Sequence, residues 1–130
     1  MELSEASFLP DPDATVRGSV TVEWIEQGAA LVMRMGDAAT PTVTWIIGRD
    51  DAEPEYHVLY ADDRGVSRVY RMSFTDGTWR MWRDTPAFSQ RFHAEVAGQA
   101  EITGSWQKSV DGGTTWEHDF AVRYSRPGTQ

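Results

Sequence analysis

Between Glu55 and Ser125 the chain repeats one pattern: a short run of alternating polar and apolar side chains, then a turn of acidic residues and glycine. The runs are EYHVLYADD, RGVSRVYRMSFTDG, TWRMWRD, FSQRFHAEVAG, AEITGSWQKSVDGG and TTWEHDFAVRYS. Asp62–Gly65, Asp76-Gly77, Asp84–Pro86, Gly98 and Asp111–Gly113 separate them. A period of two places alternate side chains on opposite sides of a strand, so one face can be buried while the other stays wet. Hairpin after hairpin in this style builds an antiparallel meander, which closes into a barrel or stacks as a sandwich. No window sustains the 3.6-residue period of an amphipathic helix.

The same reading over the whole chain marks ten strands. They are Glu2–Phe8, Gly18–Glu26, Ala29–Met35, Thr42–Gly48, Glu55–Asp62, Val66–Phe74, Thr78–Arg83, Phe88–Val96, Glu101–Val110 and Thr115–Ser125. Glu26-Gln27-Gly28 and Gly36–Pro41 are the first tight connections, and the polar stretch Arg49–Pro54 must be a loop. Because consecutive strands tend to pair, the expected fold is all-β: an antiparallel up-and-down barrel of about 8–10 strands. Little or no helix is expected, at most a single turn around Thr85–Phe88. With no linker or low-complexity tract, residues 1–130 read as one domain.

A chain of 130 residues can bury roughly two-thirds of its unfolded surface, so it needs neither disulfide nor structural metal. Cysteine is absent, which removes thiol catalysis, iron–sulfur clusters and zinc ribbons. There are 20 acidic residues against 12 basic ones, a formal charge of −8 that repels phosphate backbones and anionic membranes. Nucleic-acid binding and membrane insertion are therefore not expected. The opening MELSEASFLPDP has no basic and apolar leader, and a cytoplasmic location is the default expectation. Six Trp, five Phe and four Tyr supply more rigid apolar area than a minimal core needs, which favours very large packing units or a lined cavity.

Parity sorts the strand residues into faces. Trp116, His118, Phe120, Val122 and Tyr124 share one face of the last strand, with Glu117, Asp119, Arg123 and Ser125 on the wet one. Arg68, Tyr70 and Met72 go together, as do Gln90, Phe92 and Ala94, and Ile102, Gly104 and Trp106. Trp24 and Trp45 point inward by the same rule. The expected lining is thus Trp24, Trp45, Tyr70, Phe92, Trp106, Phe120 and Tyr124. Three polar residues intrude on it: Arg68, Gln90 and His118. Each needs a partner, because an unpaired charge or amide among aromatic rings is costly. The plain alternatives to a shared polar anchor for a ligand are an Arg68 that snorkels to solvent or pairs structurally with Glu26 or Glu101, and a satisfied core His118.

Five blocks carry a resemblance: residues 47–51 (IGRDD), 60–70 (YADDRGVSRVY), 82–84 (WRD), 88–92 (FSQRF) and 111–120 (DGGTTWEHDF). Over residues 15 to 126 or thereabouts the chain resembles a family of small bacterial lipocalin-like barrel proteins of unknown function, frequent in actinobacteria. The resemblance implies a calycin-type barrel and brings no activity, ligand or catalytic residue. Members often begin with a Gly-x-Trp strand, which this chain lacks.

No Gly-x-Ser-x-Gly elbow or phosphate loop is present, and the acidic pairs Asp50-Asp51 and Asp62-Asp63 lack calcium-loop spacing. His57 and His93 fall opposite the aromatic stripes, so no metal site is expected. The leading functional expectation is binding of a small, largely apolar molecule with a polar or anionic end. Its site would be Arg68, Tyr70, Gln90, Phe92, Trp106, His118, Phe120, Tyr124 and Trp45, with no cofactor. One alternative is an enzyme of cyclase or isomerase type, holding a polyene or polyketide in a reactive shape with His118 or a tyrosine as proton donor. A second alternative is a heme or gas carrier with His118 as axial ligand. A homodimer remains open.

Overall fold

The computed structural model describes residues 2–4, 16–36, 41–96 and 101–125. Its strands are β1 (Glu2–Ser4), β2 (Val16–Arg17), β3 (Ser19–Ile25), β4 (Ala30–Gly36), β5 (Pro41–Gly48), β6 (Tyr56–Asp62), β7 (Ser67–Thr75), β8 (Thr78–Arg83), β9 (Ser89–Glu95), β10 (Glu101–Ser109) and β11 (Glu117–Ser125). The protein is all-β. From β3 to β11 each strand lies beside the next in up-and-down order, and the short β1 continues the order beyond β11, with β2 beyond it. Two details depart from expectation. Among the described residues the helical turn falls at Glu26–Gly28 and not at Thr85–Phe88, where side chains of Thr85 and Ser89 tie the bend instead. The first expected strand is described only at Glu2–Ser4, so its residues 5–8 lie outside the described residues.

The chain divides into two compact units, Gly18–Met72 and Met1–Arg17 with Ser73–Gln130. In the first unit, β3 to β7 form a meander whose register builds rows across the sheet. Leu31, Ile47, Val58 and Tyr70 stand opposite one another in turn, and so do Met33, Trp45, Tyr60 and Arg68. Met33, Trp45, Ile47, Val58 and Tyr70 are buried. Burial of each such side chain contributes about 1.5–3 kcal/mol, which makes these rows the unit's core. Trp24, expected to line that face, is instead 68% exposed. Parity did place it beside Leu31, and among the described residues β4 is the one strand that β3 pairs with.

The connection from β3 to β4 is tight, with positive φ at Glu26 (51°), Gln27 (58°) and Gly28 (92°). Only glycine adopts this conformation without crowding its Cβ, so Glu26 and Gln27 hold a conformation that costs about 1–2 kcal/mol each.

In the second unit β8 to β11 form rows of their own. Met81, Phe92 and Trp106 are successive partners, and Trp106 faces Phe120. The next row runs Trp79, Ala94, Gly104 and Val122. Gly104 is a packing requirement: a Cβ there would lie 2.4 Å from the Phe92 ring and 3.0 Å from the Ala94 methyl. Phe92 therefore lies directly over the Gly104 backbone, filling the space a side chain would take. Since Phe92 is itself buried at 3% exposure, its ring has little room to retreat. Gly104→Ala should destabilise the fold by about 1–3 kcal/mol, the cost of overpacking, read as a lower midpoint in denaturant unfolding. An unchanged midpoint would mean that the ring moves freely.

Candidate functional site

The site is shaped by an irregularity in β11. Its pairing with β10 runs Gly104 to Val122, Ser105 to Ala121 and Trp106 to Phe120, then jumps, so that Gln107 faces His118. Asp119 is the extra residue. Such a bulge re-aims the side chains that follow and breaks the alternation at one point. Its consequence is that Asp119 is buried, at 4% exposure, while His118 is exposed. This reverses the expected faces of both residues. Phe120, Val122 and Tyr124 keep the face parity gives them, because they lie beyond the bulge; Trp116 and His118 do not. Trp116 instead packs on the exposed side, where the Arg91 guanidinium stands 4.0 Å from its ring centroid.

The buried Asp119 carboxylate meets Gln90, whose side-chain amide donates to Oδ2 at 3.2 Å. Gln90 is buried too, so this bond offsets the desolvation of two polar groups at once. By register, Arg83 and Lys108 flank Gln90 on the same face. Beside that polar row the aromatic rings form a continuous chain. Trp79 meets Phe92 edge-on at 4.9 Å, Phe92 tilts against Trp106 at 5.1 Å, and Trp106 stacks with Phe120 at 5.9 Å. Tyr124 joins through Trp79 at 5.8 Å. Each contact contributes about 0.5–1.5 kcal/mol beyond area burial and holds its ring in one orientation. Burial pushes the Tyr124 hydroxyl well above the ordinary phenol range. The second unit therefore carries an aromatic face with a polar row at one end.

The first unit gathers the other expected residues. Arg68 is half-buried and lies 5.8 Å from the Tyr60 ring centroid, and Tyr60 meets Tyr70 edge-on at 6.0 Å. Trp45 is buried opposite Tyr60. The Tyr60 hydroxyl donates to Asp62 Oδ2 at 2.7 Å. Burial, with the Asp62 carboxylate beside it, pushes this phenol up to about 12. Asp62 in turn accepts from the Arg64 guanidinium and from the backbone N–H groups of Arg64 and Val66. The Arg64 bonds first, and the Tyr60 bond next, hold its carboxyl far below the usual carboxylate range. Asp62 thus closes the β6–β7 turn.

A similar device closes the β10–β11 connection. Asp111 accepts from the Thr115 hydroxyl and backbone N–H and from the Ser109 hydroxyl. In that order, these bonds hold its carboxyl down at about 2.

Of the expected site residues, Gln90, Phe92, Trp106, Phe120 and Tyr124 come together in the second unit, and Trp45, Arg68 and Tyr70 in the first. His118 joins neither face. Sequence reasoning missed Asp119 and Trp79. Parity offered β8 two tryptophans on opposite sides, Trp79 and Trp82, with nothing to choose between them. For Asp119 no local signal exists, since a bulge is set by the partner strand. Among the described residues no cluster of three or more His, Asp or Glu side chains is placed to hold a metal ion. Compared with models of known protein families and with curated proteins, the chain matches none.

Two outcomes follow from this geometry. Asp119→Ala removes the buried hydrogen bond between Gln90 and Asp119 and should cost about 1–3 kcal/mol, whereas the exposed His118→Ala should change stability by less than about 0.5 kcal/mol. Urea unfolding of both variants checks this, and the opposite ranking would put the bulge elsewhere. Asp111 has a depressed folded-state pKa, so its support of the loop is complete above the ordinary carboxylate value of about 3.9. That support is lost as the pH falls towards about 2. The Thr115 amide resonance should titrate in that window, and Asp111→Asn should remove the titration.

Proposed function

We propose that the protein binds a small, largely apolar molecule against the aromatic face of the second unit, within a calycin-type barrel. One observation carries this reading: an unbroken chain of ring contacts from Tyr124 and Trp79 to Phe120 runs beside the buried Gln90–Asp119 pair. Aromatic walls with a few convergent polar groups are the usual composition of a small-molecule site. The polar groups also indicate the ligand's end. A carboxylate accepts, an ammonium donates, and a carboxamide does both. With Asp119, Gln90 and Lys108 on one face, the matching end both donates and accepts hydrogen bonds, as a carboxamide or a hydroxyketone does. An anionic end, expected from Arg68 and His118, fits less well beside Asp119. The exposed position of His118 likewise withdraws support from its roles as proton donor and heme ligand. A cytoplasmic location accords with the acidic, cysteine-free chain.

The test uses 2-naphthamide, an apolar bicycle with a carboxamide end, and reads quenching of Trp79 and Trp106 fluorescence. Saturable one-to-one quenching is expected. Gln90→Leu should weaken it by about tenfold, equivalent to about 1.4 kcal/mol. Organic extraction of the protein purified from its host, followed by mass spectrometry, should yield a molecule of this class. Absence of saturable quenching together with an empty extract would overturn the reading and leave the face as packing alone.

A further inference from the structure

We propose that the outer face of β8–β10 holds an oxyanion site for a small phosphate monoester, built on Arg91 and Arg80. Both arginines are exposed, on the face opposite Phe92 and Trp106. There Arg91 stands across from Trp82 and Gln107, and His93 from Arg80 and Ser105. Two contacts hold the Arg91 side chain in place. Its guanidinium lies 4.0 Å from the Trp116 ring centroid, which restrains the fork against an aromatic face. Its Nε–H donates to Gln107 Oε1 at 2.6 Å. Among the described residues its two terminal nitrogens meet no acceptor. A guanidinium anchored through Nε presents its end-on pair of N–H donors, whose spacing matches two oxygens of one oxyanion. Because the fork is oriented before a ligand arrives, binding costs little further side-chain freedom.

Charge selects the ligand. The chain has 20 acidic residues against 12 basic ones, and Arg34, Arg64, Arg71 and Arg123 are each met by a carboxylate. Among the described residues no carboxylate meets Arg80 or Arg91. Glu95, on the same face, is engaged by Thr78 and His93, and Glu101 by Arg123. Arg80 is a diagonal neighbour of Arg91, two residues from Trp82 along β8, and such neighbours lie about 7–8 Å apart. Both long side chains therefore reach one oxyanion set between them, which relieves their mutual repulsion. A phosphate monoester, whose second pKa is about 6, brings the two negative charges that neutralise both arginines. A carboxylate brings one. Ser105, exposed and diagonal to Arg91 on β10, adds a hydroxyl donor on the same face. The overall charge of −8 repels a long polyanion, so the ligand is a compact phosphate and not a nucleic acid.

Titrating methyl phosphate into the isotope-labelled protein at constant ionic strength, followed by NMR, tests this; the probe has no ring for the aromatic face to take. Saturable one-to-one shifts are expected at the Arg91, His93 and Ser105 amides, with dissociation in the millimolar range, as befits an exposed site. Arg91→Lys keeps the charge and loses the fork. It and Arg80→Gln should each weaken binding by about tenfold, equivalent to about 1.4 kcal/mol. Arg71→Gln, in the first unit, should leave binding unchanged, and acetate should bind about tenfold more weakly than methyl phosphate. Shifts that fail to saturate, or that spread equally over the arginines of the first unit, would reveal only a diffuse ion atmosphere and overturn the proposal. The unaltered protein alone decides those two outcomes, whatever the stability of the variants. Arg91→Lys binding as tightly as the unaltered chain would overturn the role of the fork, and acetate binding as tightly would overturn the choice of phosphate.

Discussion

One extra residue in β11 governs the chemistry of the whole second unit. A strand has a side-chain period of two, so a single insertion exchanges the faces of everything on one side of it. Without the shift after Trp106, His118 would stand among the rings and Asp119 in solvent. With it, the ring row of Met81, Phe92, Trp106 and Phe120 stays intact, and a carboxylate is carried into the buried face next to Gln90. The bulge is held from both sides. Phe120 and Val122 are bound to their register by Trp106 and Gly104, and the Asp111-centred loop fixes where β11 must begin.

The contact of Phe92 with Gly104 explains why that register tolerates no slip. The ring occupies the volume a side chain at position 104 would take, and Phe92 is also the link between Trp79 and Trp106. A displaced β10 would bring Thr103 or Ser105 beneath the ring and break both aromatic contacts. Close packing of this kind makes the aromatic face a single unit, in which each ring is oriented by its neighbours.

The alternation from Glu55 onward was enough to mark every strand from β6 to β11 to within two residues and to place Tyr70, Phe92, Trp106 and Val122 in the core, as the same parity in Thr42–Gly48 did for Trp45. Those positions follow from period and composition, which are local. What escaped depends on partners. Trp24 obeys parity yet lies bare, since burial also depends on flanking strands, and among the described residues β3 pairs with β4 alone. Asp119 and His118 exchange faces for a reason written in the pairing with β10, not in their own strand. Val16–Arg17 is too short to show a period at all, and it is a strand only through its pairing with β1.

The acidity of the chain also acquires a more specific meaning than solubility. Asp50, Asp62 and Asp111 each accept a backbone N–H within their own turn, from Ala52, from Arg64 and Val66, and from Thr115. A turn leaves such donors without the ladder partners a strand supplies, and a short carboxylate two to four residues away satisfies them at little entropic cost. In Asp62 the same group also accepts from the Tyr60 hydroxyl and the Arg64 guanidinium, so the turn is tied to a core-facing ring. All three carboxyls are held below their ordinary value by these bonds. They therefore remain charged, and keep their turns closed, at acidities that neutralise ordinary surface carboxylates. Each of these carboxylates therefore contributes its full support above the ordinary carboxylate range and loses it only as the pH falls through its lowered folded-state value, so the turns that set strand register resist acid.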